Sequence, residues 1–362
     1  MSTDQLVLVT GASGYVASHV VQQLLVAGYR VRGTVRSFKI EEKVAPLREL
    51  VPDAKHPLEL VEADLTKDEG WDQACSGCWA VIHVASYLAS LMRMADEETY
   101  IQTTVNGAQR VMKAAAAAGV KKMVLTSSFQ TITGDPSPWV EGKTYTEEDW
   151  TDIDYPNLEF YPKSKTMAER AAWAFVENMP EESKIELSTI QPTFVWGPPL
   201  LKCQAYTPSM ESMINILTNK YPGHPSISVP FCDVRDVAEA HVKCLTTPAA
   251  AGKRFIIYSR CEWLATTAKI LDEELKPQGY ALYTNTIPYF VLWFFSFFKR
   301  KLTASNFLQK LDLQISISNR NMVEVLGIQP TDLRKTVLDM AYSIIELGMV
   351  PKTSNYRGPT SH

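Results

Sequence analysis

The stretch from Leu6 to Leu25, LVLVTGASGYVASHVVQQLL, constrains the fold more than any other part of the chain. Leu6 to Val9 is a short apolar run stopped by Thr-Gly, the pattern of a strand buried on both faces of a parallel sheet. Gly11, Gly14 and Ala17 follow at three-residue spacing, and Val20, Val21, Leu24 and Leu25 then recur at helical spacing. The reading is strand, glycine turn, helix. Gly11 suits the backbone angles of a tight turn, Gly14 lets a phosphate approach main chain, and Ala17 lets the helix pack on the strand. The free amides of the first helical turn and the helix dipole then face an anion. Glycines at this spacing can equally mark a plain turn; here the flanking strand and helix favour the phosphate reading.

The same alternation continues. Residues 29–35, 58–61, 80–85, 122–127, 185–190 and 254–258 read as strands, and 99–118, 163–177 and 233–245 as helices. A βα rhythm of this kind predicts an α/β fold with a doubly wound parallel sheet, its ligand at the carboxyl ends of the strands. From Pro192 the rhythm breaks into Pro- and Gly-rich loops, and the remainder reads as mostly helical through 333–347. The expected division is a nucleotide-binding domain of residues 1–196 and 229–260. A smaller, mostly helical C-terminal domain takes 197–228 and 261–350, and 351–362 forms a loosely ordered tail.

A chain of 362 residues with a formal net charge of −4 carries no sign of nucleic-acid binding. Six cysteines are too few for a disulfide scaffold of this length. Cys75-Ser-Gly-Cys78 has no second pair and no nearby histidine, so no metal is expected. With no charged-then-apolar leader before the first strand, the expectation is a cytoplasmic protein. Residues 287–298, IPYFVLWFFSFF, are almost wholly apolar and precede Lys299-Arg300-Lys301. Twelve residues fall short of the ~20 needed to span a bilayer. The run is expected to be a packed or lid helix by a substrate pocket, with a helix resting on a membrane surface as the sharper alternative.

The end of the second strand bears on the cofactor. NAD enzymes place an acid near this position for the adenosine ribose. Here the chain has Arg30, Arg32 and Arg36, then Lys39 and Lys43. Arg36 is placed to pair with a 2′-phosphate in forked geometry, and Lys43 adds a second charge. The bland alternative is a solvated basic loop. The expectation is NADPH. Asp64, ending the third strand, is a candidate acceptor for the adenine amino group, or simply a cap.

Tyr161-Pro-Lys-Ser-Lys165 puts a phenol and an ammonium four residues apart, on one face of a helix. A nearby ammonium lowers a phenol's pKa, and the phenol can then exchange a proton with a carbonyl oxygen. Thr126-Ser127-Ser128 ends the fifth strand, where Ser128 can hold the same oxygen.

With these residues in view, the chain resembles the extended short-chain dehydrogenase/reductases. Within them it is similar to the branch of dihydroflavonol reductases and fungal or bacterial NADPH-dependent aldehyde and ketone reductases. VTGASGYVASHVVQQLL, GTVR, ADL, HVAS, LTSS, YPKSKTMAERAAW, QPTFVWGP, DVRDVAEAH and RFIIYS carry the resemblance over nearly the whole length. It implies a Rossmann-type domain and a catalytic trio of Ser128, Tyr161 and Lys165. It makes Gly11, Ser13, Gly14, Tyr15 and Val16 the pyrophosphate loop and Arg36 and Lys43 the 2′-phosphate site, with Asp64 and Leu65 at the adenine. Val84, Ala85 and Ser86 would line the nicotinamide-side ribose, with Thr126, Tyr161 and Lys165 also at the cofactor. Pro192, Thr193, Phe194 and Val195 would meet the carboxamide.

Departures bear on the substrate. Thr133 stands where plant dihydroflavonol reductases carry Asn or Asp. Glu159-Phe160-Tyr161-Pro162 replaces the Trp-Tyr-Cys signature of cinnamoyl-CoA reductases. Tyr87, Phe129, Gln130, Thr133, Phe194 and Met210 are the candidate lining of a reshaped, partly aromatic pocket. Rival readings are an epimerase, dehydratase or steroid dehydrogenase of the same superfamily, and a cofactor-binding regulator without turnover. Dehydratases carry an Asp-Glu pair where this chain has Phe129-Gln130, and the intact trio argues against a regulator. The expected activity is reduction of aldehydes or ketones bearing hydrophobic or aromatic groups, by a monomer or homodimer. Helices 99–118 and 163–177 are the candidate dimer seam.

Overall fold

A computed structural model describes residues 4–86, 96–134, 142–296 and 307–359. Seven parallel strands form the central sheet: β1 (Leu6–Val9), β2 (Arg30–Val35), β3 (Glu59–Glu62), β4 (Ala80–His83), β5 (Lys122–Thr126), β7 (Glu186–Pro192) and β10 (Arg254–Ile257). Their spatial order is β10-β7-β5-β4-β1-β2-β3. The order reverses between β1 and β4, where the chain crosses from one half of the sheet to the other. The crevice at their carboxyl ends is where such a sheet takes its ligand.

The apolar run that begins the chain is buried as its composition demands. Val7 and Val9 enter the core on one face, and Leu6 and Leu8 the core on the other. The first face is covered by α1 (Tyr15–Val26), α2 (Glu41–Arg48) and α8 (Val234–Thr246); the second by α3 (Trp71–Cys75), α4 (Glu97–Ala117) and α6 (Phe160–Glu177). Helix α4 starts where the Asp96 carboxylate accepts from the amides of Glu98 and Thr99. That cap begins the helix two residues before the apolar spacing suggests. Helix α6 likewise begins earlier than the expected 163, which places Tyr161 within it.

The sequence reading missed a three-stranded sheet. Strands β8 (Phe194–Trp196), β9 (Ser228–Asp233) and β11 (Arg260–Trp263) pair in the order β11-β9-β8. They are short, and Pro230 interrupts β9, so neither length nor alternation marks them as strands. Against this sheet pack α7 (Pro208–Leu217), α9 (Leu264–Leu275) and the helix Leu333–Glu346, around Trp196, Phe231, Met213 and Met340. A two-residue strand pair, β6 (Thr144–Tyr145) with β12 (Ser316–Ile317), ties the C-terminal part to the loop before α6.

Two expectations are corrected. The segment after Val350 is pinned rather than loose as far as Arg357: the Tyr356 hydroxyl donates to Glu346 at 2.8 Å, and the Arg357 amide to Gln278 at 3.0 Å. The apolar run at 287–298 forms helix α10 (Tyr289–Ser296), but Tyr289 and Phe290 are 53% and 69% exposed. Its first turn is therefore not the packed element its composition suggests. No helix among the described residues is long and apolar enough to cross a membrane.

Candidate active site

The glycine turn sits at the reversal of strand order. Gly11 has φ of +68°, a region that side chains other than glycine's rarely adopt, and a Cβ there would lie 3.1 Å from Ala85 Cβ. Gly14 caps α1 with extended backbone and no side-chain cap, and a Cβ on it would crowd the Gly11 carbonyl at 3.0 Å. Past the turn, the Ser18 amide donates to the Gly14 carbonyl at 2.9 Å. The amides ahead of it, at Tyr15 and Val16, have no helical carbonyl to reach. An uncapped helix N-terminus behind a glycine cradle fits a diphosphate. Ser13 is half-buried beside it. The Tyr15 side chain leaves the turn: its hydroxyl donates to the Gly197 carbonyl at 2.7 Å within the second core. Only its main chain remains at the phosphate position.

At the adenosine end, Arg36 is exposed just past β2. Its charge reaches Asp64. Partial burial works to raise that carboxyl, but the hydrogen bonds from the Thr66 amide and hydroxyl, together with Arg36, hold it below its ordinary value. Asp64 thus caps its own turn while lying near the guanidinium. Leu65 follows, with its carbonyl accepting from Arg110 at 2.8 Å. Lys43 lies in the first turn of α2, near the Cys203 thiol. Arg32 is committed elsewhere: it pairs with Glu59 at 2.7 Å and caps the end of α3 through the carbonyls of Ala74 and Ser76.

Beyond β4, Val84, Ala85 and Ser86 leave the sheet half-buried, and the Ala85 amide donates to Thr10 Oγ1 at 3.0 Å. Thr10 Oγ1 also meets His83 Nδ1 at 2.8 Å. Burial, with the Lys165 charge adding to it, pushes that imidazole down to about 3. A narrow cleft lined by Ala85, Ser86, Thr126, Ser127 and Lys165 opens here.

Tyr161, Lys165 and Ser128 converge beside this cleft. Burial raises the Tyr161 phenol, and its hydrogen bond with Ser128 pulls the other way. The lowering expected from the ammonium is not what the protein alone shows. Lys165 Nζ instead donates to the Thr126 carbonyl at 3.0 Å. Burial brings Lys165 down to about 8, with Glu169 opposing the shift. Thr126 Oγ1 meets His241 Nε2 at 2.6 Å.

Pro192, Thr193, Phe194 and Val195 run from the end of β7 into β8. The Pro192 carbonyl accepts from the Phe129 amide at 3.0 Å, and Thr193 Oγ1 donates to Ile257 at 3.0 Å. Half-buried Phe194 packs edge-on against Phe231, with ring centroids 6.0 Å apart. Of the remaining pocket candidates, Gln130 is half-buried in the short helix α5 (Gln130–Thr133), whereas Phe129 and Thr133 are buried. Phe129 packs with Ile132, Tyr145 and Ile315. Met210 is fully enclosed in the second core. Tyr87 lies outside the described residues. Sequence reasoning missed Glu169, one turn beyond Lys165, and its partner Arg254. The four-residue spacing from Lys165 marks Glu169; nothing local marks Arg254.

A parallel sheet with a glycine turn at its strand reversal, and a serine, a tyrosine and a lysine beside it, defines a dinucleotide-binding α/β protein. The chain belongs to the NAD dependent epimerase/dehydratase family, which it matches over residues 7–257. It is 36% identical to cinnamoyl-CoA reductase 1 of Arabidopsis thaliana over 272 residues, covering 74% of this chain and 75% of that protein. It is 37% identical to dihydroflavonol 4-reductase of Zea mays over 255 residues, covering 68% of each. The structure of Gre2 from Candida albicans in complex with NADPH superposes with a TM-score of 0.76 at 26% identity, over 95% of this chain and 99% of that one.

Proposed function

We propose that this protein is an NADPH-dependent reductase of aldehydes and ketones, with a preference for hydrophobic or aromatic substituents. The observation that carries the reading is the meeting of Tyr161, from α6, with Ser128, just past β5, beside Lys165 and the cleft at the strand reversal. Relatives named as reductases support it.

When bound, the cofactor supplies the hydride that reaches the carbonyl carbon. The amides at Gly11 to Val16 would hold its diphosphate, and Arg36 with Lys43 the 2′-phosphate. Asp64 and Leu65 would flank the adenine, Val84 to Ser86 the nicotinamide-side ribose, and Pro192 to Val195 the carboxamide. The Ser128 hydroxyl donates to the substrate oxygen and fixes its place. The Tyr161 hydroxyl gives that oxygen its proton as negative charge develops there. The Lys165 ammonium would hold the ribose and steady the phenolate left behind. Phe194 and the side chains around it offer an apolar wall.

The protein acts as a monomer or homodimer, and sedimentation at micromolar concentration distinguishes the two. A cytoplasmic location is supported by six cysteines that are all free thiols. The deciding experiment is a panel of aldehydes and ketones offered with NADPH, following the absorbance of the reduced nicotinamide. Oxidation driven by aromatic carbonyls is the expected result. No oxidation with any of them sinks the proposal.

A further inference from the structure

Below the trio lies a second polar set that the proposed reaction does not itself use. Glu169 follows Lys165 by one turn of α6, and its side chain is fully buried. Every contact it makes is with a donor. Oε1 accepts from Arg254 Nε at 2.8 Å, Gln191 Nε2 at 2.8 Å and Thr189 Oγ1 at 3.0 Å. Oε2 accepts from Ser127 Oγ at 2.5 Å. Arg254 is held in turn: Nη1 donates to the Glu147 and Asp149 carbonyls at 2.7 Å each, Nη2 to Thr131 Oγ1 at 2.9 Å, and the guanidinium lies 3.8 Å above the Trp150 ring.

The arrangement joins four elements at one carboxylate. Ser127 sits between Thr126, whose carbonyl takes the Lys165 ammonium, and Ser128, which meets Tyr161. Gln191 and Thr189 belong to β7, and Arg254 to β10 at the edge of the sheet. A buried ion pair with unmatched neighbours is costly, so a fully satisfied one at this place calls for a use. Arg254 and Lys165 together carry two positive charges, and Glu169 is the negative charge bonded between their attachments.

We propose that Glu169 is a positioning residue: clamped by Arg254, it fixes the Thr126–Ser128 turn against α6 and is the counter-charge of Lys165. The inference rests on the reductase reading. Removing the carboxylate leaves the burial of Lys165 unopposed, so its ammonium is lost at lower pH. Removing the Arg254 charge leaves the buried Glu169 carboxylate without the cation that most holds it ionised, so the carboxyl takes up a proton more readily and the ammonium is again lost at lower pH. The other groups near Lys165 hold steady over the working range. Burial keeps His83 on β4 down at about 3 and His241 on α8 at about 4, so both are neutral. Burial also keeps the Tyr161 phenol above its ordinary range.

The test is the pH dependence of turnover, together with the pH dependence of NADPH affinity read from cofactor fluorescence, for Glu169→Gln, Glu169→Asp and Arg254→Met. The expected result is an alkaline limb about one pH unit lower in Glu169→Gln. The limb stays at its parental position in Glu169→Asp, which keeps the charge, and is also lowered in Arg254→Met, whose buried carboxyl is no longer held ionised. A purely structural pair would lower stability in Glu169→Gln and Arg254→Met alike and leave the limb in place. An unmoved limb in Glu169→Gln, or a raised limb in Arg254→Met, overturns the inference. Should Glu169→Gln fail to fold, the double variant Glu169→Gln with Arg254→Met removes both charges and carries the same requirement of a lowered limb. If no carbonyl is reduced, the reductase reading fails, and the affinity profile still decides the link between Glu169 and Lys165.

Discussion

Lys165 Nζ donates to the Thr126 carbonyl at 3.0 Å, and the hydroxyl of the same threonine meets His241 Nε2 at 2.6 Å. One residue at the end of β5 thus joins α6 on one face of the sheet to α8 on the other. The ammonium is anchored on main chain, so its position does not depend on Tyr161 or on a cofactor. Tyr161 can therefore be altered without releasing Lys165.

Tyr161→Phe keeps the ring and removes the hydroxyl that meets Ser128. Turnover should fall by roughly 10²–10⁴, the range for a lost general acid, with NADPH affinity nearly unchanged. Steady-state kinetics beside a fluorescence titration separate the two effects. A variant as fast as the parent would falsify the assignment of the proton donor.

Arg36 is exposed, and no ion pair among the described residues engages it. Its guanidinium is available for a 2′-phosphate contact worth about 1.5–3 kcal/mol. Arg36→Asp should weaken NADPH binding by about one to two orders of magnitude and leave NADH equal or better. Calorimetric titration with both cofactors checks this; equal affinities for NADPH and NADH in the unaltered protein would remove the basis for it.

Gly11→Ala places a Cβ on backbone at φ +68° and 3.1 Å from Ala85. The left-handed conformation alone costs about 1–2 kcal/mol. A lower melting temperature and weaker binding of both NADPH and NADH should appear together, because the turn carries the diphosphate that the two share. Loss of NADPH binding alone would contradict that role.

His83, His19 and His241 are buried, and burial brings them to about 3, 4 and 4. The unfolded chain binds their protons near pH 6.5 while the folded protein does not. Their folded pKa values are depressed, so they favour the native state fully above about pH 6.5 and less as pH falls toward 4. Stability should drop by about 1.4 kcal/mol per pH unit for each imidazole across that window. Urea melts between pH 7.5 and pH 5, as about the useful limits around that pKa, measure the slope. A flat profile would show that these rings gain protons in the native state.

Met210 and Phe290 offer a contrast in packing. Met210→Ala empties a fully enclosed site and should cost about 2–5 kcal/mol. Phe290→Ser alters a ring that is 69% exposed and should change stability by no more than about 0.5 kcal/mol. Denaturant titration of both variants checks the enclosure of Met210 against the exposure of the first turn of α10.

The glycine turn, the buried parallel strands, the helix carrying Tyr161 and Lys165, and the basic end of β2 are all legible in the sequence alone. Each is written locally: backbone angles that only glycine adopts readily, an unbroken or helix-spaced apolar run, a four-residue spacing on one helix. Tertiary structure alone decided what depends on residues distant in sequence. It sent the Tyr15 hydroxyl to Gly197, placed Met210 in a core instead of a pocket, paired β9 with β8 and β11, and left Phe290 exposed. It also brought Arg254 to Glu169 across 85 positions, where a single buried carboxylate must satisfy donors from separate strands. A local pattern can show that a residue is apolar or charged. Which partner answers it is set by the order of strands in the sheet, because that order determines which side chains must share the space from which water is excluded.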